Sequence, residues 1–380
     1  VAVIGRRPPS PPSAPAPAAP RRPERAPERA SDRASELGLD DPLLAPLIRA
    51  VVDARPVLDD LTRARVGARI AAATRPLAVG SSVAAERDPI EGEVVVGARV
   101  GRPLSRGETA VVYEARYAAD DAGPAEDVAV KVVAAALCRS EPAVVRFVAA
   151  TRAVGALGHP HIVGIRAAGR DPIGRAAVVM ERLAGESLAD RLRRGPLAWA
   201  EAATILAQVL DALIAAHAHG IAHGALRPSN IWLAPAAAGA HAKLLNFGAA
   251  GLSDGVRGDA RSTLTRAVIG APQYLAPEQL DAGGAPDHRA DLYALGAILF
   301  ELLAGRPPFG GDNLRAVLAG HMFHEPPSLA APLRAAGAPA SAAALIAGLL
   351  AKDVAARYAT AADARADLAA VIAGEPPACA

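Results

Sequence analysis

Residues 105–113 read SRGETAVVY and residues 128–131, after a turn, read VAVK, and these two runs decide the fold. Their β-branched residues predict two strands, and the small residues that open the first run predict a tight loop. Such a loop lets backbone N–H groups approach phosphate groups, and Lys131 adds a point charge. Only three of the 41 basic residues are lysines, at 131, 243 and 352, which indicates a specific role for Lys131.

The hydrophobic pattern changes along the chain from a strand period to a helix period. Runs rich in β-branched residues, broken by turn signals, are followed by long patterns rich in Ala and Leu. The predicted strands are 93–104, 110–117 and 128–135, and the clearest predicted helices are 199–217, 291–303 and 342–350. This order predicts an α+β protein with a small strand-rich lobe followed by a larger helical lobe.

The segments before this domain have a different composition. Residues 1–35 are rich in Pro, Ala and Arg, which predicts a disordered leader because such a segment buries too little apolar surface. Residues 36–74 carry apolar residues at helical spacing on either side of Pro56 and predict a helical segment. Residues 75–91 are predicted to be a linker, and residues 374–380 a short tail.

Composition excludes several classes of protein. The formal net charge is +2, so no strong overall field attracts the chain to nucleic acid. Two cysteines cannot form a disulfide framework, which favours a reducing compartment. The start lacks the apolar core of a signal peptide, and charged or polar residues interrupt every apolar run before the ~18 residues of a membrane span. We therefore expect a cytoplasmic protein without a membrane span.

Further motifs follow the first two in a fixed order. They are HPHIV at 159–163, VME at 179–181, HGALRPSN at 223–230, NFG at 246–248, GAPQYLAPE at 270–278, DLYALG at 291–296, GRPPF at 305–309, and Arg357. In this order and at this spacing, residues 92–373 resemble the bacterial branch of the Ser/Thr protein kinase family. The resemblance implies a bilobal protein-kinase-like fold with a small antiparallel β lobe and a larger helical lobe.

The resemblance also implies a nucleotide site. It places ATP against Ser105, Gly107, Ala110, Val112, Ala129, Lys131, Met180, Glu181, Leu183, Asn230 and Trp232. Only one of the three glycines of the family's phosphate loop is present, at Gly107, and side chains at Ser105 and Ala110 hinder the closest backbone approach to phosphates. The indole of Trp232 is predicted either to stack under the adenine or to fill its pocket. The residues therefore leave two alternatives open, weak ATP binding and no ATP binding.

The family's catalytic charges are missing from the matching places. Ala225 stands where the resemblance expects the aspartate that positions the substrate hydroxyl, with Gly224 before it and Arg227 in place of the loop lysine. Asn246 replaces the metal-binding aspartate and, with Asn230, leaves only amides as weak metal ligands, so magnesium binding is doubtful. Counting back from His159 places Ala150 where the helix glutamate that pairs with Lys131 is expected.

The family's structural residues are present, at His223, Phe247, Glu278, Asp291 and Arg357. This combination predicts a catalytically impaired homologue, a pseudokinase, that binds a protein partner such as an active kinase or its substrate. Two alternatives are a slow ATP-dependent Ser/Thr kinase and a nucleotide sensor without phosphotransfer. Residues 253–265 contain Ser and Thr beside arginines and are either phosphorylated by another kinase or an unmodified loop.

Overall fold

The computed structural model describes residues 91–107, 109–118, 124–236, 239–248, 271–280, 287–311 and 313–378. The predicted leader at 1–35, the helical segment at 36–74, nearly all of the linker at 75–91 and the Ser/Thr-containing loop at 253–265 lie outside these residues. The predicted lobes lie within them except for the gaps between these ranges.

The first lobe is built on a six-stranded antiparallel sheet in the order β1-β2-β3-β4-β6-β5. Its strands are β1 (Val94–Val95), β2 (Ala98–Arg106), β3 (Ala110–Tyr117), β4 (Glu126–Val133), β5 (Ile165–Arg170) and β6 (Ala176–Glu181). In β4 the side chains of Val128, Val130 and Val132 are buried in the sheet's own core. Because side chains alternate along a strand, Ala129 and Lys131 share the opposite face.

One main helix, α1 (Glu141–Gly155), packs against this sheet. It begins at Ser140, whose hydroxyl accepts a hydrogen bond from the Ala143 N–H group. Its buried residues Val144 and Phe147 form a small core with β5 and β6. A side chain at Gly155 would place its Cβ 2.7 Å from Ile165, so glycine permits the close approach of helix and strand.

The second lobe is mostly helical. Its helices are α2 (Leu188–Leu192), α3 (Trp199–His217), α4 (Arg289–Ala304), α5 (Leu314–Phe323), α6 (Ala330–Ala336), α7 (Ala342–Leu349) and α8 (Ala361–Ile372). Helix α4 is apolar on every side and almost wholly buried, as expected for a central core helix. Helix α3 is long and apolar enough to cross a membrane by length and composition alone. More than half of its residues are buried within the lobe core.

A second sheet carries the residues of the cleft. It contains β7 (Glu186–Ser187), β8 (Ile231–Ala236) and β9 (Gly239–Leu244), all antiparallel. Asn230 lies in a short 3₁₀ turn directly before β8, and Asn246 lies two residues after β9. Since β8 and β9 pair along their length, the two asparagines meet at the same end of this sheet.

Candidate functional site

Lys131 projects from β4 into the cleft between the two lobes. Its Nζ atom donates a hydrogen bond to Asn246 Oδ1 at 2.8 Å. Burial, together with the positive charge of Arg227, lowers the pKa of Lys131 to about 8. Among the described residues no carboxylate acts on this pKa in the opposite direction. Lys131 is therefore a partly buried cation held by a neutral amide.

The hydrogen bond from Lys131 continues through two amides. Asn246 Nδ2 donates to Asn230 Oδ1 at 2.8 Å, and Asn230 Nδ2 donates to the backbone oxygen of Ala225 at 2.8 Å. Lysine only donates and a carbonyl oxygen only accepts, so the two ends of the chain determine the orientation of both amides. Asn246 has a φ of 69°, in the left-handed region that asparagine tolerates better than most residues.

Ala150 lies on α1 and faces the NFG motif. A Cβ atom added to Gly248 would lie 3.1 Å from the Cβ of Ala150, so the helix and the motif are in close contact at the place where the family has its glutamate. The acid earlier in this helix, Glu141, pairs instead with Arg170 at 2.6 Å. Neither residue supplies a carboxylate to Lys131.

The side chain of Asp291 in α4 holds the loop that contains Ala225. Its carboxylate is buried and accepts hydrogen bonds from the backbone N–H groups of His223 and Gly224, at 2.8 and 2.7 Å. The ring of His223 lies 4.6 Å from the ring of Phe247. Gly224 has a φ of 72°, which a side chain at this place would strain. The loop is thus ordered, although Ala225 offers no side-chain acceptor to a substrate.

The segment between the lobes runs from Met180 through Leu183. Glu181 Oε1 accepts hydrogen bonds from the Gly164 N–H group and from Lys243 Nζ, both at 2.7 Å. The indole Nε1 of Trp232 donates to the backbone oxygen of Ala184 at 2.8 Å. This bond holds the indole beside the connecting segment, where both predicted roles of Trp232, under the adenine or in its pocket, stay open.

The degenerate phosphate loop forms a hairpin between β2 and β3. Ser105 pairs with Val112, and the Gly107 N–H group donates to the Ala110 carbonyl at 2.9 Å. Glu108 lies outside the described residues. Val112 also pairs with Lys131 across β3 and β4, which brings the hairpin and the lysine into one sheet.

A small cavity of about 20 Å³ lies between α1 and the connecting segment. It is lined by Lys131, Phe147, Thr151, Val154, Val163, Ile165, Val178, Met180, Asn246 and Phe247. Thr151 Oγ1 is buried and makes no hydrogen bond with the described residues. Of this lining, sequence reasoning had identified Lys131, Met180, Asn246 and Phe247. The other apolar residues carry no signal that separates them from ordinary core residues.

The oxygen donors in the cleft do not fit magnesium. Those near Lys131 are the Oδ1 atoms of Asn230 and Asn246, and each already accepts a hydrogen bond. Magnesium binds through carboxylates and gives up its water reluctantly. Within the described ranges no group of three or more His, Cys, Asp or Glu side chains is arranged to hold a metal ion.

A buried ion pair stabilises the helical lobe away from the cleft. Both terminal nitrogens of Arg357 donate to the carboxylate of Glu278, at 2.7 and 3.1 Å, and one of them also donates to the Arg289 carbonyl at 2.7 Å. The Arg357 side chain is fully buried. The two residues lie 79 positions apart, so this pair connects distant parts of the lobe.

A β lobe and a helical lobe around a lysine-containing cleft define a protein-kinase-like domain, and the comparisons agree. The model of the family described as "Protein kinase domain" matches residues 98–367. Solved structures of the PknI kinase domain from Mycobacterium tuberculosis align over 74% of this chain, with 24% identity, a TM-score of 0.56 and 98% coverage of the matched chain. The chain belongs to the protein kinase family, in its bacterial Ser/Thr branch.

Among the curated relatives, serine/threonine-protein kinase Pkn1 of Myxococcus xanthus is 39% identical over 242 residues, which are 63% of this chain and 34% of the relative. PknB of M. tuberculosis is 38% identical over 256 residues, which are 66% of this chain and 40% of the relative. The chain thus spans well under half of the length of these relatives.

Proposed function

We propose that this kinase domain is impaired in phosphotransfer and acts as a regulatory or scaffolding binding module in bacterial Ser/Thr phosphosignalling. The observation that carries this proposal is the site around Ala225. The side chain of Ala225 has no acceptor for a substrate proton, and the backbone oxygen of Ala225 already accepts a hydrogen bond from Asn230 Nδ2. The nearby carboxylate of Asp291 is buried behind the loop and bound by the loop's own N–H groups.

Magnitudes support the loss of ordinary phosphotransfer. A positioned general base contributes ~10²- to 10⁴-fold to a rate. Neutralising the transferring phosphoryl group is a further electrostatic contribution, which in kinases depends on metal ions held by carboxylates and on a lysine–glutamate pair. Here Ala225, Asn246 and Ala150 remove all three acidic groups. The losses need not multiply, because residues of one catalytic unit are not additive.

The partner that fits this role is a protein, either an active kinase or one of its substrates. The contacts that shape the helical lobe support binding, because Glu278 and Arg357 form their ion pair and Asp291 orders the loop beneath the cleft. A domain that retains these contacts presents a stable surface even without catalytic acids. Reproducible capture of a kinase or its substrate by the purified chain, with no phosphate transfer, is the expected behaviour.

The test compares phosphotransfer from ATP and Mg²⁺ to a mixture of Ser/Thr peptides by four forms of the chain. The wild type and Lys131→Met are expected to give the same background signal. The triple variant Ala150→Glu, Ala225→Asp, Asn246→Asp is expected to transfer phosphate. Adding Lys131→Met to the triple variant should abolish that transfer, which assigns the activity to this cleft.

The second candidate is a slow Ser/Thr kinase, favoured by the ordered positions of Lys131 and Asn230 in the cleft. Wild-type transfer that disappears in Lys131→Met would establish this candidate and overturn the proposal. Transfer that survives Lys131→Met would come from a contaminating kinase.

A further inference from the structure

We propose that the cleft binds a nucleoside triphosphate as the metal-free anion, and that Mg²⁺ weakens this binding. The inference deepens the proposed function and rests on it in one respect, that the bound nucleotide is not turned over. It follows from the mismatch between the cleft's donor groups and magnesium.

The first argument concerns charge. Lys131 and Arg227 are positive and close enough for Arg227 to lower the pKa of Lys131. In the described part of the cleft no carboxylate compensates Lys131, because Ala150 replaces the helix acid and Glu141 binds Arg170 on the surface. A desolvated cation is stabilised by an anion brought into contact with it. The triphosphate supplies that anion.

The second argument concerns the amides. A carboxylate at position 230 or 246 would repel a metal-free triphosphate. A metal ion would then be needed between the carboxylate and the phosphates. Asn246 and Asn230 have no charge, so this repulsion is absent. Each Nδ2 group carries two hydrogens, of which one is used in the chain from Lys131 to Ala225. Asn230 is buried and Asn246 is only half-buried, so the second hydrogen of Asn246 Nδ2 is the donor that can reach a phosphate oxygen.

The third argument concerns competition by the metal. Magnesium bound to the triphosphate removes two negative charges from the ligand, which weakens its attraction to Lys131 and Arg227. The ion would also need protein oxygens in exchange for its water, while both Oδ1 atoms already accept hydrogen bonds. Magnesium therefore weakens the attraction of the triphosphate to Lys131 and Arg227. In return, no carboxylate near Lys131 in the described cleft binds the ion.

The base end of the cleft has groups that suit a purine. Leu183 lies two residues after the end of β6, and its N–H group makes no hydrogen bond to any described residue. The indole of Trp232 is held beside this segment through Ala184. These contacts do not involve the phosphates, so a nucleoside shares them with its triphosphate, and comparing the two ligands isolates the contribution of the phosphates.

The test is calorimetric titration of the full chain with ATP, in EDTA and in millimolar Mg²⁺ at matched ionic strength. Matching matters because added salt alone screens charge. The dissociation constant is expected to be about tenfold lower in EDTA than in Mg²⁺, the size of one charge-assisted hydrogen bond. Adenosine, which has no phosphates, is expected to bind equally under both conditions.

Substitutions test the roles of Lys131 and Asn246 in nucleotide binding. Lys131→Met is expected to weaken metal-free ATP binding by about ten- to a hundredfold. Asn246→Asp is expected to reverse the effect of the metal, so that ATP binds more tightly in Mg²⁺ than in EDTA. Asn246→Leu, a neutral control of similar size, should not reverse it. Arg166→Met, at an exposed ion pair with Glu126 in the β lobe, should leave both dissociation constants unchanged.

Tighter ATP binding by the wild type in Mg²⁺ would overturn the inference, and so would no binding of ATP in EDTA to a protein that thermal unfolding shows to be folded. Neither result affects the proposed function, which fails only if the wild type transfers phosphate in a Lys131-dependent manner. An unchanged metal response in Asn246→Asp would also overturn the inference.

Discussion

The cleft and the helical lobe hold cations in different ways. In the lobe, Arg357 is fully buried and bound by a carboxylate and backbone carbonyls. In the cleft, Lys131 is held by the neutral amide of Asn246, and its pKa falls to about 8. A paired charge contributes to one folded arrangement, whereas an unpaired one costs free energy until a ligand compensates it. The comparison suggests that the lobe serves folding and the cleft serves binding.

The largest effect is expected from the paired cation. Arg357→Met leaves the Glu278 carboxylate without its partner and should lower the free energy of unfolding by about 3 to 5 kcal/mol. Chemical denaturation measures this loss. The matched surface variant Arg166→Met, which breaks the exposed pair with Glu126, should cost at most about 1 kcal/mol.

The double variant Glu278→Leu, Arg357→Met sharpens this prediction. Replacing both charges by apolar groups of similar size is often nearly neutral, so the double variant should recover much of the stability lost by Arg357→Met. A double variant as unstable as the single one would mean that Arg357 acts through its carbonyl contacts and its stacking on Tyr293.

A second buried group should make stability depend on pH. His321 is fully buried, its Nδ1 atom lies 3.0 Å from the Tyr293 hydroxyl, and burial beside Lys352 lowers its pKa to about 3. Because this value lies below the ordinary 6.5, the unfolded state takes up the proton first as the pH falls. The contribution of neutral His321 is complete above pH 6.5 and is lost progressively toward pH 3.

One such proton lowers the free energy of unfolding by about 2 kcal/mol between roughly pH 7.5 and pH 5. His321→Gln should remove this part of the pH dependence, measured by denaturation at both pH values. The exposed residue His219 provides the control, since His219→Gln should leave the slope unchanged. A slope unaltered in His321→Gln would contradict the assignment.

The smallest effect is expected at Lys131, which pairs with no carboxylate among the described residues. Lys131→Met removes a partly buried charge and one hydrogen bond to Asn246, and these changes oppose each other. The free energy of unfolding at neutral pH should change by less than about 1 kcal/mol. A loss of unfolding free energy as large as that of Arg357→Met would contradict the difference proposed between the cleft and the helical lobe.

The pH dependence of this variant gives a further check. The folded pKa of Lys131 is about 8, below the ordinary 10.5, so the unfolded state holds the proton between these values. The contribution of Lys131 to the free energy of unfolding should therefore rise as the pH increases from about 8 to 10.5. Lys131→Met should remove this rise, and chemical denaturation at both pH values measures it.

Local sequence patterns predicted the elements of the fold well. The predicted helix at 199–217 is confirmed at both ends, and the predicted helix at 291–303 forms within Arg289–Ala304. The strand predicted at 128–135 runs from Glu126 to Val133 instead, because pairing with β3 extends it at the start and the chain leaves the sheet at its end. Pairing with neighbouring strands sets the first and last residues of a strand, and a local sequence pattern contains no information about this pairing.

The candidate site was predictable in its residue types and less so in its contacts. Motif spacing placed Lys131, Ala225 and Asn246 in one cleft, and the structure brings Lys131 and Asn246 into contact although 115 positions separate them. No local signal predicted the bond of Lys243 to Glu181 or the hydroxyl of Thr151, which has no partner among the described residues. Neither belongs to a recognisable motif, and both depend on how distant elements pack.

The sequence by itself determined the order of the lobes, the helices and strands, and which side chains lack a charge, because these follow from residue type and local spacing. Only the tertiary structure decided that Lys131 binds an amide, that the two asparagines share one chain of hydrogen bonds, and that, among the described residues, a carboxylate pairs with Arg357 and none pairs with Lys131. Hydrogen bonds and burial depend on distances across the folded chain, and residues far apart in sequence acquire them only when the elements pack.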